Sequence, residues 1–372
     1  MSGARHLYVH VPFCAHRCGY CDFVTLVGRR DGHDAYVGAL LAELELRRSL
    51  LADTVETVFL GGGTPTYTEP QALARLLEAL PPADELTVEA NPETVTPELA
   101  ALLRARGVSR VSLGAQSFQP HLLEVLERQA GPEAVRRAFY HLRDAEFDNI
   151  SLDLLYGIPG QSPSDLERDL AEAIALGPEH LSCYELEAKP GTRFSFAHGD
   201  ELERQAEAME GYFELVVDEL TGAGYRWYET ANFCRPGRQA RHNLGYWFGR
   251  DYLGLGIGAV STIEDLRWRN RPALPAYVAT LARGELPPRD EEPLEPETVS
   301  RERLMLGLRL DEPVPLAEVA GALDAAALDR MERLGLAERQ GSGLVLTTRG
   351  RFLGGGVTAE LMAESPANVQ FE

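Results

Sequence analysis

Three of the five cysteines fall within eight residues: Cys14-Ala-His-Arg-Cys18-Gly-Tyr-Cys21. Thiolates are soft ligands that suit iron–sulfur clusters or zinc. Three of them on one short loop can hold three irons of a cubane and leave the fourth iron open. The alternative is zinc, with a distant fourth ligand such as Cys183, Cys234 or a histidine. Structural zinc draws on paired C-x2–4-C units and is fully ligated, and the chain has no second pair. The array favours a 4Fe–4S cluster on Cys14, Cys18 and Cys21.

Other polar residues and glycines stand out by position. Gly61-Gly62-Gly63-Thr64 closes an apolar run that begins at Thr57; backbone without Cβ atoms can approach a ligand closely. Glu89, Gln116 and Asp153 each sit at or beside the end of a later apolar run. Each alone reads as a satisfied polar residue at a strand end. Further on, Arg241-His242-Asn-Leu-Gly-Tyr246-Trp247 combines an imidazole with aromatic rings and nearby arginines, Arg238 and Arg250 among them. A neutral imidazole can ligate heme iron and arginines can pair with propionates. A hydrogen-bonded histidine in an aromatic loop is the plainer reading.

These residues need elements to position them. Apolar runs at Leu7–Val11, Thr57–Leu60, Leu86–Ala90, Arg110–Leu113, Ile150–Tyr156 and His180–Leu186 read as strands. Between them lie stretches with helical spacing: Asp34–Leu51, Glu69–Leu80, Glu98–Arg106, Gly131–Glu146 and Pro163–Leu176. Thr96-Pro97 and Ser162-Pro163 read as caps, and Gly107 follows a helix end. Every step between strands is long enough for a helical crossover, so the sheet is expected to be parallel. The fold class is α/β, a partial (β/α)6 barrel over residues 1–190; periodicity alone leaves an open doubly wound sheet as the alternative. The marked residues fall at strand ends, where parallel α/β folds gather their sites.

Residues 191–290, carrying the His242 string, extend this core. There Glu201–Thr221 reads as one long helix and Pro287–Pro296 as a linker. Residues 298–372 form a smaller winged-helix-like α+β unit with eight arginines against eleven acids. That balance does not suit a DNA-reading wing.

A net charge of −21 argues against broad binding to nucleic acid or anionic membranes. Lys189 is the only lysine, which leaves arginine as the cationic partner for carboxylates. No run of about 18 apolar residues exists, so no spanning helix is expected. The cysteines are too few and uneven for a secreted disulfide framework. A cytoplasmic protein is expected.

The C-x3-C-x-Tyr-C form resembles the radical S-adenosylmethionine (SAM) superfamily. The stretch Tyr8-Val-His-Val-Pro-Phe-Cys14 is similar to its oxygen-independent coproporphyrinogen III oxidase-like branch, and the H-N-x-x-Y-W string to the HemW-type heme chaperones within it. The resemblance covers nearly the whole chain. It implies that SAM chelates the open iron and that Tyr20 lies near the adenine. It further implies that Tyr8, Gly62, Gly63, Thr64, Glu89, Gln116, Arg128 and Asp153 contact SAM, with Arg128 on the carboxylate. Heme would sit at His242, its axial ligand, with Arg241, Tyr246 and Trp247; His6, His10 and His16 are rival ligands. The partners implied are heme and apo-respiratory enzymes that receive it.

Besides the H-N-x-x-Y-W string, two further features separate the chaperones from the oxidases in this reading. The oxidase resemblance demands a cysteine two residues after Cys21, where Phe23 stands. Oxidases also carry a long N-terminal extension, and thirteen residues precede Cys14 here. One departure concerns the string Gly254–Ser261, where the branch commonly places a histidine and this chain has Val260.

Overall fold

The structure, a computed structural model, describes residues 3–187, 189, 192–205 and 208–363. Six parallel strands follow one another in chain order: β1 (His6–Val11), β2 (Val55–Gly62), β3 (Ala83–Ala90), β4 (Arg110–Gln116), β5 (Ile150–Tyr156) and β6 (His180–Glu185). Helices α1 (His33–Arg47), α2 (Pro70–Ala79), α3 (Pro97–Ala105), α4 (Pro120–Val125), α5 (Pro132–Asp144) and α6 (Pro163–Leu176) make the crossovers. Five of the six begin on proline, whose missing N–H and fixed φ suit the first turn. Thr96 caps α3 through the Leu99 N–H, and Ser162 forms a capping box with Asp165 on α6.

Side chains alternate along the strands. Val58, Leu60, Val88, Val111, Leu113, Leu152 and Leu181 join the apolar core. Their neighbours Thr57, Glu85, Thr87, Arg110, Ser112, Ser151 and His180 are buried polar groups. The barrel interior is therefore polar, and its groups need partners.

Beyond α7 (Arg193–Gln205) and α8 (Met209–Gly222) come β7 (Arg226–Glu229) and β8 (Asn232–Cys234); β8 pairs antiparallel with β6, and β7 antiparallel with β8. Over the expected helix Glu201–Thr221 the described residues fall in α7 and α8, and residues 206–207 lie outside them. After α9 (Arg241–Trp247) comes β9 (Tyr252–Leu255), a seventh parallel strand on the outer edge of β1. The antiparallel strands β10 (Val260–Ile263), β11 (Leu266–Asn270) and β12 (Arg289–Pro293) complete a sheet of twelve. The expected linker over Pro287–Pro296 is corrected by β12. Its sequence, Arg-Asp-Glu-Glu-Pro, is that of an edge strand, where charge and proline discourage further pairing.

One buried apolar cluster spans Ala4 to Leu281, so residues on either side of 190 share a core. A second, Leu304 to Leu361, belongs to a C-terminal unit of short helices and a three-stranded antiparallel sheet with a hairpin at Gly341-Ser342. Arg351 stacks 3.6 Å over the Trp227 ring, and Phe352 packs on Phe213 and Trp227, which joins the unit to the barrel.

The later strands are fastened to α1 by Glu43. Its fully buried carboxylate accepts from Arg47 Nε (2.9 Å), Asn270 Nδ2 (2.8 Å), Tyr277 OH (2.6 Å) and the Gly256 N–H (2.9 Å). Two turns earlier, Tyr36 OH donates to the His10 carbonyl and accepts from the Ile257 N–H. Glu43→Ala would strand a buried guanidinium and three further donors, and should cost about 3–5 kcal/mol. Urea unfolding measures it; a loss under 1 kcal/mol, the order of an exposed pair, would show the clamp to be dispensable.

Candidate functional site at the carboxyl ends of the strands

The cysteine loop leaves β1 and is tied down at several points. Cys21 N–H closes a turn on the Cys18 carbonyl, Gly28 N–H donates to the Cys14 carbonyl, and Thr64 N–H to the Phe13 carbonyl. Phe194 N–H, at the start of α7, donates to the Gly19 carbonyl. Tyr20 packs on Phe194 and on the small apolar cluster of Leu122, Leu126 and Leu155. Cys14 is buried, whereas Cys18 and Cys21 are half-exposed. Burial pushes the Cys14 thiol up to about 11, opposed by its contact with the Thr64 hydroxyl at 3.4 Å. Burial raises Cys21 as well. Among the described residues no group of three or more His, Cys, Asp or Glu converges on one point as ligands of a metal ion do.

The loop is wired to the strand ends through Arg128. Its guanidinium donates to Cys18 Sγ (3.6 Å), Asn91 Oδ1 (3.0 Å) and the Gly114 carbonyl (2.8 Å). Asn91 Nδ2 in turn donates to Thr64 Oγ1 (2.9 Å), the hydroxyl beside Cys14. Arg128, Asn91, Thr64, Cys14 and Cys18 thus form one network. Asn91 was not singled out from the sequence, although it directly follows the end of β3; the signal available was its place one residue past that strand.

The other expected residues face the same end of the barrel. The Gly62 N–H donates to Glu89 Oε2 at 3.0 Å. Gly62 has φ +103°, and a Cβ there would lie 2.2 Å from the His10 ring, so only glycine fits. Ser112, also not singled out, donates to both oxygens of Asp153 (3.1 and 3.0 Å). Gln116 takes the left-handed φ of +66° at a bulge between β4 and β5. Bulges re-aim side chains, and strained backbone collects at functional sites. Tyr8 stands apart on β1, stacked on Phe59 and hydrogen-bonded through its hydroxyl to His10 Nδ1 at 3.0 Å. His10 Nε2 pairs with the Val24 carbonyl, which anchors the chain after the cysteines.

The donors suit the implied cofactors chemically. Three thiols share one loop, an arginine lies within reach of them, and two carboxylates and an amide face the same mouth. Gly61, Gly62 and Gly63 pack so tightly against Glu89, His10 and Pro12 that a Cβ at any of the three would clash.

The heme residues behave differently. His242 is buried, with Nδ1 bonded to Thr57 Oγ1 (2.7 Å) and Nε2 to Tyr246 OH (2.9 Å). Neither nitrogen is free to meet an iron, and burial lowers its pKa to about 3. An axial role would require the bond to Tyr246 to open. Nor do the four expected residues line one cavity. Arg241 pairs with Asp84 at 3.1 Å. Trp247 turns to the C-terminal unit, where Arg309 lies 4.6 Å over its ring. Tyr246 alone faces a cavity of about 350 Å3 beside the cysteine loop, shared with Tyr8, Tyr252, Phe23, Val260 and Arg269. Val260, the departure in the glycine string, lies on that wall. His16 lies near Glu127 (3.9 Å), and Cys183 and Cys234 are buried on β6 and β8.

Comparison with known proteins adds the family. The "Heme chaperone HemW" of Mycobacterium tuberculosis is 40% identical over 371 residues, covering 96% of this chain and 94% of that one. The protein of the same description from Bacillus subtilis is 34% identical, covering 97% and 100%. This chain belongs to the HemW family. The Radical SAM superfamily model matches residues 8–173 and the HemN C-terminal domain model residues 294–353. The solved coproporphyrinogen III oxidase of Escherichia coli, a radical SAM enzyme, superposes with a TM-score of 0.81. It covers 97% of this chain and 90% of its own at 24% identity, a likeness of fold. The α/β radical SAM fold is thereby established for this HemW-family chain. Among the described residues no helix is long and apolar enough to cross a membrane.

Burial pushes the Glu89 carboxyl up to about 7, against the Gly62 N–H that favours its ionised form. Folded Glu89 therefore keeps its proton to higher pH than the unfolded chain does, whose carboxyl titrates near 4.5. The wild type should lose stability relative to Glu89→Gln as pH rises between these values, by about 3 kcal/mol in all, and no further above them. Urea unfolding of both proteins across that window tests this; a difference independent of pH would refute the buried-carboxyl account.

Proposed function

We propose that this chain is a cytoplasmic heme chaperone that carries a 4Fe–4S cluster and SAM and delivers heme to apo-respiratory enzymes. The observation that carries this reading is the near full-length identity to proteins described as heme chaperones, on a chain that retains the cysteine loop. Cys14, Cys18 and Cys21 are the ligands of the cluster. When bound, the cluster supplies an electron for cleaving a carbon–sulfur bond of SAM. Arg128, already beside Cys18, holds the SAM carboxylate by charge-assisted hydrogen bonds. Glu89, Gln116 and Asp153 accept from the amino group and the ribose hydroxyls, and Tyr20 flanks the adenine. Tyr8 and the backbone of Gly62, Gly63 and Thr64 form the near wall.

Asp153→Ala removes acceptors for a ribose diol while leaving Ser112 free to bond water. SAM affinity should fall by about 1–3 kcal/mol. Calorimetry on a folded variant with unchanged affinity would remove Asp153 from the pocket.

The oxidase is the second reading, favoured by the fold superposition alone. Phe23 opposes it, since it occupies the place of the extra cysteine and is 63% exposed at the rim of the cavity beside the loop. Anaerobically reconstituted protein should hold about four irons and four sulfides per chain, as a cubane requires. Changing the three loop cysteines to serine should abolish this, and changing Cys183 and Cys234 should not. The same sample should bind heme and yield no decarboxylated product from coproporphyrinogen. Multiple turnovers would replace the chaperone reading with the oxidase.

A further inference from the structure

His242 is one link in a buried chain. Thr57 Oγ1 lies 2.8 Å from His6 Nδ1 and 2.7 Å from His242 Nδ1, and His242 Nε2 lies 2.9 Å from Tyr246 OH. A hydroxyl has one proton, so Thr57 donates to one imidazole and accepts from the other. One consistent direction has His6 Nδ1–H donating to Thr57, Thr57 O–H to His242 Nδ1, and His242 Nε2–H to Tyr246. In that direction the free end of the chain is a bare lone pair on His6 Nε2. This is how metal-binding histidines are prepared, with the second ring nitrogen fixed by a hydrogen bond that sets tautomer and orientation.

Among the described residues His6 Nε2 has no hydrogen-bond partner, and His6 lines a second cavity, of about 640 Å3, at the amino-terminal end of the barrel strands. That volume falls within the roughly 300–1,000 Å3 of small-molecule sites. The face of α9 that carries Arg241, Leu244, Gly245 and Phe248 forms one wall. Gly245 packs over the His6 ring, because a Cβ there would sit 2.9–3.0 Å from Nε2, Cδ2 and Cε1 alike, so only glycine lets α9 approach this closely. Arg5, Arg241 and Arg250 bring three positive charges, set against Glu56 and Asp251. Arg5 pairs with Glu56 and Arg241 with Asp84, while among the described residues the Arg250 guanidinium has no ion pair. Burial lowers the His6 pKa, which keeps the ring neutral.

We propose that heme binds in this cavity, at the pole opposite the cysteine loop, with His6 Nε2 as axial ligand and Arg250 on a propionate. Leu244 and Phe248 offer apolar surface to the macrocycle. His242 is then a positioning residue that acts on the ligand through Thr57, and the aromatic string serves heme without touching its iron. The inference rests on the heme-binding reading above and names the site and ligand for it.

The test is titration of ferric heme into the cluster-loaded full chain, read by Soret position and affinity. His6→Gly should shift the Soret band and weaken binding, and added imidazole should restore the wild-type band. Thr57→Val should weaken binding by about tenfold, the size expected for loss of an orienting partner. Arg250→Glu, an exposed change that leaves the core intact, should weaken binding without moving the band. If wild type takes up no heme, the chaperone reading falls with the inference. If wild type binds heme while His6→Gly and Arg250→Glu keep its band and affinity, the site lies elsewhere and only the inference is overturned. A band that moves in His242→Ala but not in His6→Gly would return the iron to His242.

Discussion

A single carboxylate decides where the second half of the chain lies. Glu43 is removed from water and accepts from a guanidinium, an amide, a phenol and a backbone N–H. A buried charge is tolerable only when fully partnered, so α1 cannot settle until β9, β11 and α10 (Leu274–Leu281) have arrived. Tyr36 acts beside it by holding the Ile257 N–H and the His10 carbonyl. The outcome is that β9 lies against β1, next to the strand that feeds the cysteine loop. A residue near position 260 thereby becomes a neighbour of Tyr8.

The polar barrel interior has a comparable effect on α9. His6, Thr57, Glu85 and their neighbours need partners that strand pairing does not supply. The short helix provides them: the backbone N–H groups of Arg241 and His242 donate to Glu85, and the His242 ring bonds Thr57 while stacking 5.2 Å from Phe59. The H-N-x-x-Y-W string is therefore first of all a plug for the barrel. Its residues diverge because a helix turns about 100° per residue. His242 and Tyr246, four apart, point inward, whereas Arg241 and Trp247 point to different surroundings. A string that reads as one site in sequence is distributed over three environments in space.

The core of the fold was legible because its signals are local. Helix starts at Thr96-Pro97 and Ser162-Pro163 follow from capping and proline geometry, and the strand at Ile150–Tyr156 shows as apolar residues alternating with Ser151 and Asp153. The strands after residue 225 were not legible. They are two to five residues long, mix arginine with aromatics, and owe their conformation to neighbours far away in sequence. The charged run Arg289–Pro293 resembles a linker for the same reason that it makes a good sheet edge.

What the sequence determined by itself is the chemistry on offer: three thiolates on one loop, glycines at a strand end, carboxylates at the ends of parallel strands, and the family these motifs mark. Residue type and short spacing carry that information without any fold. Tertiary structure alone decided which atoms remain free. Both nitrogens of His242 are engaged because Thr57 and Tyr246 come to it, Thr57 from 185 residues away. His6 has a hydrogen bond only at Nδ1 among the described residues, and its ring is covered by Gly245, where a side chain would not fit. Whether a side chain is ligand or scaffold depends on the partners that burial brings to it, and those partners are set by the packing of the whole chain.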